Sequence, residues 1–130
     1  MEPELHQKVI HRHTVSNDDL ANFKYESVHQ VCSTFALARE IEWTTRQYIH
    51  KIKKEDEEGI GTMLEIQHHG MALLGEEFVV HAQVEEFEHG ELICDFEVKV
   101  GERLIASGKT GQKLLPKHVI ERKFKEIGGD

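Results

Sequence analysis

The chain has 130 residues, about the length of one domain when roughly 150 residues are taken as typical. Hydrophobic residues make up 38% and charged residues 31%, a mixture too apolar for a disordered segment. The 16 Lys and Arg residues against 24 Asp and Glu residues give a net charge of −8. Because nucleic-acid binders are normally basic, this balance argues against DNA, RNA and acidic membrane surfaces as partners. We therefore expect a single domain over residues 1–130.

The sequence carries no sign of membrane insertion or export. No segment approaches the ~18 consecutive apolar residues that a membrane-spanning helix needs. The first residues, Met1 to His6, lack the apolar core of a signal peptide. Cys32 and Cys94 fit reduced thiols in a reducing compartment better than a disulfide. These features predict a cytoplasmic protein.

The first third of the chain predicts a strand and then a long helix. Residues 7–15 are strand-like, Ser16–Asp19 is a turn with a helix-start signal, and residues 20–30 have a mixed pattern that predicts no element. From Phe35 to Ile52, apolar or small residues recur at helical spacing, at positions 35, 38, 41, 45, 48, 49 and 52. Ser33 or Thr34 is placed to cap this helix, and the charged run 53–61 ends it.

The rest of the chain changes to a period of two residues, which is typical of strands. Glu88–Glu91 and Gly101–Glu102 are predicted turns between neighbouring strands. Pro116 is expected to open a final short helix over about residues 117–126, because proline suits the first turn of a helix. The predicted strands cover residues 62–68, 77–85, 92–100 and 103–115.

This order of elements predicts an α+β fold whose core spans about residues 5–115. Short loops join antiparallel neighbours, so the strands should form a curled antiparallel sheet of about five strands with the long helix lying on it. One helix covers only part of such a sheet. We therefore expect a homodimer or a larger homo-oligomer.

Ten histidines raise the question of a metal site. His11 and His13 share one face of the first predicted strand, and His68 and His69 are adjacent. Zinc sites need three or four converging ligands, and the sequence has no HExxH or CxxC motif. We therefore predict no metal site. Cys32, just before the long helix, fits ordinary packing better than a catalytic nucleophile.

Three polar residues could serve acyl transfer. Thr34 begins the long helix, Glu42 lies two turns along it, and His68 ends a strand. A hydroxyl, a carboxylate and an imidazole are the groups that hydrolysis needs, and free N–H groups at the helix start could hold an oxyanion. The same residues also allow a simpler interpretation, in which Thr34 is only a cap and Glu42 pairs with Arg46 four residues on. The residues alone leave both open.

A resemblance to a known family bears on this choice. The segment VCSTFALAREIE at 31–42, with GT at 61–62, IQH at 66–68 and GE at 75–76, resembles the hotdog-fold thioesterases of the fluoroacetyl-CoA thioesterase type. LIASG at 104–108 continues the similarity, which covers about residues 5–125 in order. The resemblance implies a hotdog fold, usually dimeric, and hydrolysis of a small or medium acyl-CoA or a related thioester.

The family's catalytic threonine, glutamate and histidine correspond to Thr34, Glu42 and His68. The resemblance also implies that coenzyme A enters only as part of the substrate and that no further cofactor is used. Two departures are visible, because residues 69–74 lack the family's prolines and Gly111-Gln112 stands where basic residues are common. We therefore do not extend the fluoroacetyl specificity to this chain. The residues expected to bind substrate are Phe35, His69, Gly70 and Gly108.

The helical spacing constrains this site. Eight residues along a helix correspond to about 12 Å of rise, so Thr34 and Glu42 do not touch within one regular helix. Either Thr34 belongs to a loop before the helix, or the pocket is completed across a dimer interface. The sequence does not choose between Thr34 and Glu42 as nucleophile or as water-positioning group. The alternative functions are a non-catalytic acyl-CoA binding module and a hotdog dehydratase or hydratase.

Overall fold

Seven strands and two helices account for most of the chain. The computed structural model describes residues 2–23 and 26–128, so both ends of the predicted domain 1–130 lie outside the described residues. The strands are β1 (Lys8–Thr14), β2 (Leu20–Phe23), β3 (Glu26–Cys32), β4 (Glu57–His68), β5 (Glu77–Glu88), β6 (Glu91–Val100) and β7 (Arg103–Pro116). The helices are α1 (Thr34–Ile52) and α2 (Lys117–Gly128), and a short 3-10 turn covers Asn17–Asp19.

Five strands form one antiparallel sheet in the order β1-β5-β6-β7-β4. The predicted α+β class and the sheet of about five strands are therefore confirmed. β2 and β3 form a separate antiparallel pair, which a bridge between Val31 and Leu73 ties to the loop after β4. β1 and β4 are the two edges of the described sheet.

Helix α1 begins at Thr34 because Ser33 caps it. The Ser33 hydroxyl accepts a hydrogen bond from the Ala36 N–H at 3.0 Å, which satisfies one of the donors that a helix start leaves free. One prediction fails here, because Phe35 is 78% exposed although its spacing placed it on the apolar face. The buried face instead includes polar residues, and it consists of Ala36, Leu37, Glu40, Ile41, Thr44, Thr45, Tyr48, Ile49 and Ile52.

The core lies between α1 and the inner face of the sheet. On β5 and β6 alternate side chains are buried, as the period of two residues predicts. Ile41 on α1 packs in one cluster with the buried side chains of β5, and Ile49 in a second cluster further along the helix. The buried residues of the two strands are Phe78, Val80, Ala82, Val84, Leu92, Cys94, Phe96 and Val98.

Three features of the secondary structure differ from the predictions. β4 starts at Glu57, five residues early, because the charged run pairs with β7 as far as Pro116 and its backbone groups are satisfied there. β2 and β3 occupy a segment whose mixed pattern predicted nothing. Pro116 ends β7 and does not open α2, whose first N–H, on Lys117, donates to the Asp56 carbonyl at 2.7 Å.

Two further observations concern the membrane and the thiols. Among the described residues, no helix has both the length and the apolar character required to cross a membrane. Cys32 and Cys94 are free thiols. Burial raises the pKa of Cys94 to about 12, with smaller contributions from Asp95 and Glu85. This thiol is therefore a packing group and not a nucleophile.

Candidate active site

Thr34 and His68 meet although 34 residues separate them. Thr34 is the first residue of α1, and His68 is the last residue of β4. The Thr34 Oγ1 lies 3.2 Å from the His68 Nε2, within hydrogen-bond distance. A hydroxyl in contact with an imidazole is the arrangement that an activated nucleophile or a held water requires.

The pair faces a cavity of about 780 Å³. The cavity lies between the start of α1, the β2–β3 pair and the loop that follows His68. Its wall is largely apolar, with Thr34, His68 and Arg39 among the polar groups. The apolar side chains that line it include Leu20, Val31, Phe35, Leu37, Met71 and Ile105.

Backbone donors are available beside the Thr34 hydroxyl. In the first turn of α1, the Ala36 N–H donates to the Ser33 hydroxyl, and the Leu37 N–H donates to the Ser33 carbonyl. Within the described residues, the N–H groups of Thr34 and Phe35 have no such acceptor. These two donors at the positive end of the helix dipole can receive a developing negative charge.

The loop 69–76 forms one wall of the cavity and is tied to the rest of the fold. The N–H groups of His69 and Gly70 both donate to the Ile105 carbonyl, at 2.8 and 3.1 Å. Arg103 donates to the Met71 carbonyl at 3.2 Å and pairs with Glu76 at 2.6 Å. The chain following His68 is therefore fixed against β7.

Glu42 does not join Thr34 and His68 within one chain. It is exposed on α1, about 12 Å from Thr34 by helix rise, and it borders a small cavity of about 60 Å³ that Gln112 also lines. Because Thr34 belongs to α1, the alternative that places it in a loop does not apply. Arg46, the suggested ion-pair partner of Glu42, instead donates to the Gly59 carbonyl at 3.0 Å.

The four residues expected to bind substrate lie in different places. Phe35 and Gly70 line the same cavity as Thr34. The His69 ring instead lies 2.7 Å from the Ser107 hydroxyl, away from this cavity. Gly108 lines a different cavity, of about 620 Å³, on the other side of the sheet.

A cluster of charged residues lies behind the cavity, and the sequence analysis missed it. Asp19 and Glu40 are only 2% and 8% exposed. Arg39 binds both carboxylates at 2.7 Å. His13 also contacts both, with Nε2 2.7 Å from Asp19 and Nδ1 3.1 Å from Glu40, and His11 lies 2.9 Å from Glu40. The sequence indicated this cluster only through His11 and His13, which lie at alternate positions of β1.

The cluster holds both carboxylates in their ionised form. Burial raises the pKa of Asp19, but hydrogen bonds from the Ser16 N–H, Arg39 and His13 outweigh it, so the pKa lies well below its usual value. The pKa of Glu40 is lowered for the same reason, because hydrogen bonds from His11 and Arg39 outweigh its burial.

These lowered pKa values predict acid sensitivity. A carboxylate with a lowered pKa stabilises the fold above its unfolded pKa of about 4, and this stabilisation is lost as the pH falls through the folded value. Replacing Asp19 by Asn should therefore cost about 2 kcal/mol at pH 7 and should flatten the decline in stability below pH ~4. Urea unfolding from pH 7 to 3 measures both effects. The exposed neighbour variant Asp18→Asn is the control, and equal pH dependence in the two variants would contradict the prediction.

The described part of the chain offers neither a metal-binding group of side chains nor a thiolate. Among the described residues, no group of three or more His, Cys, Asp or Glu side chains could hold a metal ion. Burial raises the pKa of Cys32 to about 11, with Asp19 and Glu40 adding to this effect against Arg39. Cys32 lines the cavity but stays a protonated thiol near neutral pH.

Comparison with known proteins identifies the architecture. A Thermus thermophilus hypothetical protein, described as a thioesterase superfamily member, is 28% identical with a TM-score of 0.93, covering 99% of this chain and 96% of that one. The fluoroacetyl-CoA thioesterase FlK is 15% identical with a TM-score of 0.89, covering 97% and 98%. A hot-dog-like protein from Thermanaerovibrio acidaminovorans is 17% identical with a TM-score of 0.85, covering 95% and 91%. The predicted hotdog fold is confirmed.

The sequence also matches a family model. No curated protein sequence gives a significant match to this chain. The model of the fluoroacetyl-CoA-specific thioesterases matches residues 15–118, a span that includes α1, β4 and the cavity between them. The chain therefore belongs to the fluoroacetyl-CoA-specific thioesterase family and is a thioester hydrolase.

Proposed function

We propose that this protein hydrolyses acyl-CoA thioesters with a small or medium acyl group, at a site formed by Thr34, His68 and Glu42. The observation that carries the proposal is the contact of 3.2 Å between Thr34 Oγ1 and His68 Nε2 at the wall of the cavity. We place the reaction in the cytoplasm, as the sequence predicts.

His68 is the general base in this proposal. Thioesters are already activated and release a good leaving group, so the enzyme has to activate an oxygen nucleophile and stabilise the oxyanion. A neutral imidazole is suited to the first task near neutral pH. Its Nε2 accepts a proton from the attacking oxygen, which is either the Thr34 hydroxyl or a water held by it. In the first case an acyl-threonine ester forms while the C–S bond breaks, the coenzyme A thiolate leaves with the proton from His68, and a water then cleaves the ester. In the second case the water attacks the thioester, the C–S bond breaks in the same way, and the acid and the thiol are released directly.

The start of α1 supplies the oxyanion donors. The N–H groups of Thr34 and Phe35 lie next to the attacking oxygen and have no acceptor among the described residues. A carbonyl oxygen placed against them would gain charge-assisted hydrogen bonds as it becomes negative. The thioester carbonyl would then lie at the helix end, with its acyl group in the cavity.

The cavity wall supports an apolar acyl group. Most of its side chains are aliphatic or aromatic, and its volume of about 780 Å³ exceeds the needs of a two-carbon acyl group. A point mutant of FlK was solved in complex with fluoroacetate and CoA. Here we propose that Phe35 and Gly70 contact the acyl group and that coenzyme A is bound only as part of the substrate.

We further propose a homodimer that brings Glu42 to the site. Thr34, Phe35 and His68 are exposed on one chain, and within the described sheet β4 is an edge strand with one side unpaired. Two antiparallel α1 helices related by a two-fold axis near Ala38 would place the partner subunit's Glu42 opposite Thr34. The carboxylate could then orient His68 or balance its charge.

Thiol release from a panel of acyl-CoAs tests the function. With acetyl-, butyryl-, hexanoyl-, benzoyl- and palmitoyl-CoA, we expect kcat/KM to be highest for the butyryl to benzoyl range. It should be at least about tenfold lower for palmitoyl-CoA, which is too long for the cavity. Folded protein that binds these thioesters without releasing thiol would be a binding module instead. Hydration of an enoyl-CoA without thiol release would indicate a hydratase.

A further inference from the structure

Arg39 is held in one orientation by two buried carboxylates. Its Nε donates to the Glu40 Oε2 and its Nη2 donates to the Asp19 Oδ1, both at 2.7 Å. The side chains of Asp19 and Glu40 are only 3% and 10% exposed. Because the guanidinium is planar and is bound along one edge by two such partners, it keeps little conformational freedom.

The opposite edge of the Arg39 guanidinium is left over for another acceptor. The group carries N–H donors on all three nitrogens. The hydrogen bonds to Asp19 and Glu40 use the Nε donor and one donor of Nη2, so the donors of Nη1 point away from both carboxylates. Within the described part of the chain, Nη1 donates to no acceptor. Arg39 therefore presents a fixed and unused donor group.

This donor group lies at the cavity that Thr34 and His68 face. Arg39 lines the cavity. Its partner Asp19 lies next to the helix start, because the Asp19 carbonyl accepts a hydrogen bond of 2.7 Å from the Ser33 N–H. Thr34 and Arg39 are separated by about 7.5 Å of helix rise, and side chains in a helix lean toward its N-terminus. A short acyl chain bound at the helix start would therefore reach the guanidinium.

The surroundings of Arg39 favour a neutral oxygen as its ligand. Most side chains that line the cavity are aliphatic or aromatic, and in such a cavity the few fixed polar groups determine which ligand is preferred. An alkyl chain would displace water from the guanidinium without replacing its hydrogen bonds, whereas an acceptor oxygen would replace them. The positive charge already has two carboxylate partners, and Asp18 also lines the cavity, so a further anionic group gains little.

We propose that Arg39 is a specificity-determining residue, which donates from Nη1 to a hydroxyl or oxo oxygen on the acyl chain of the substrate. The preferred substrates are then acyl thioesters with a neutral oxygen about two to four carbons beyond the thioester carbonyl, the reach that the helix rise gives. This inference rests on the proposed thioesterase function of Thr34 and His68, and it narrows the substrate class.

The first test uses the parent protein and three esters of equal chain length. Thiol release is measured with hexanoyl-CoA, 3-hydroxyhexanoyl-CoA and 5-oxohexanoyl-CoA, which differ only in the oxygen on the acyl chain. We expect kcat/KM for at least one oxygenated ester to exceed that for hexanoyl-CoA by about tenfold, since the donor is satisfied only by that ester. Ratios below about threefold for both oxygenated esters would overturn the inference and leave the thioesterase function standing.

The second test assigns this preference to Arg39. Arg39→Lys keeps a positive charge between the two carboxylates but lacks the second edge of the guanidinium, so the ratio should fall to within about twofold of one. The ratio is taken within each variant, so a smaller folded fraction cancels. Arg12→Lys is the matched control, because Arg12 is an exposed arginine paired with Glu77, and it should keep the parent's ratio. If Arg39→Lys slowed all three esters equally, Arg39 would contact the coenzyme A part, and the inference would be refuted.

A binding measurement separates this inference from the proposed function. Absence of thiol release from every ester would refute the thioesterase function. Isothermal titration of the folded parent and of Arg39→Lys with the same three esters would then still test Arg39, because binding needs no turnover. Tighter binding of an oxygenated ester by the parent alone would support the inference, and equal binding of all three esters would refute it.

Discussion

Replacing His68 by alanine is expected to lower kcat about 1000-fold while KM changes by less than about threefold. Among the described side chains, the Thr34 hydroxyl would lose its only partner, and no other imidazole lines the cavity. The measurement is thiol release from the best acyl-CoA of the panel. His118→Ala, an exposed histidine on α2, should retain the parent activity. Activity that persists in His68→Ala would remove His68 as the base and leave the thioesterase activity intact.

The same variant can show which chain supplies Glu42. In a mixed dimer of a His68→Ala chain and a Glu42→Ala chain, one site would combine Thr34 and His68 of the second chain with Glu42 of the first. That site is complete, and random exchange of equal amounts makes about half of the dimers mixed. Mixing should therefore restore about a quarter of the parent activity although each variant alone is inactive. If Glu42 served its own chain's site, both sites would remain defective and mixing would restore nothing. The two arrangements therefore give opposite results.

Replacing Gly108 by alanine is expected to destabilise the fold by about 3 kcal/mol or more. A Cβ at this position would overlap the Glu65 carbonyl oxygen and lie 2.8 Å from its carbon, both backbone atoms of β4. A backbone cannot move aside as a flexible side chain does, so β4 and β7 would have to separate. Urea unfolding monitored by circular dichroism measures the loss.

Gly61→Ala is the matched control for this prediction. Gly61 lies on β4, the strand that pairs with the β7 strand of Gly108. No described atom lies within 4 Å of a Cβ built at Gly61, so its replacement should change the free energy of unfolding by less than about 0.5 kcal/mol. Equal losses in the two variants would contradict the steric explanation. These contacts give Gly108 a structural role between β4 and β7, and its expected contact with substrate stays a prediction.

The predictable part of the fold is the part whose side chains alternate regularly. On β5 and β6 the apolar residues repeat every second position, so the buried faces follow from the sequence. Phe35 was misplaced because the buried face of α1 also contains Glu40, Thr44 and Thr45. Thr44 is buried with its hydroxyl donating to the Glu40 carbonyl at 2.7 Å, an arrangement that a hydrophobic pattern does not register.

The active site could not be predicted from local sequence patterns, because its contacts join residues that are distant in sequence. The chemistry of their side chains suggested Thr34 and His68 as a group, and the family resemblance then favoured it. Local periodicity carries no information about a contact across 34 residues. His13 and Asp19 were missed as a pair with Glu40 for the same reason. A glutamate side chain in a helix is normally exposed to solvent. Glu40 is buried because β1 lies next to it, and His13 of that strand contacts its carboxylate.

The contacts that hold the loop 69–76 in place reduce the entropy that a ligand loses when it binds. Its hydrogen bonds to Ile105, its ion pair with Arg103 and its bridge from Leu73 to Val31 all join groups of the protein to one another. The conformational entropy of this wall is thus lost during folding, and a ligand need not order it. Amide hydrogens of His69 and Gly70 should accordingly exchange as slowly as those of the sheet, both with and without a thioester bound.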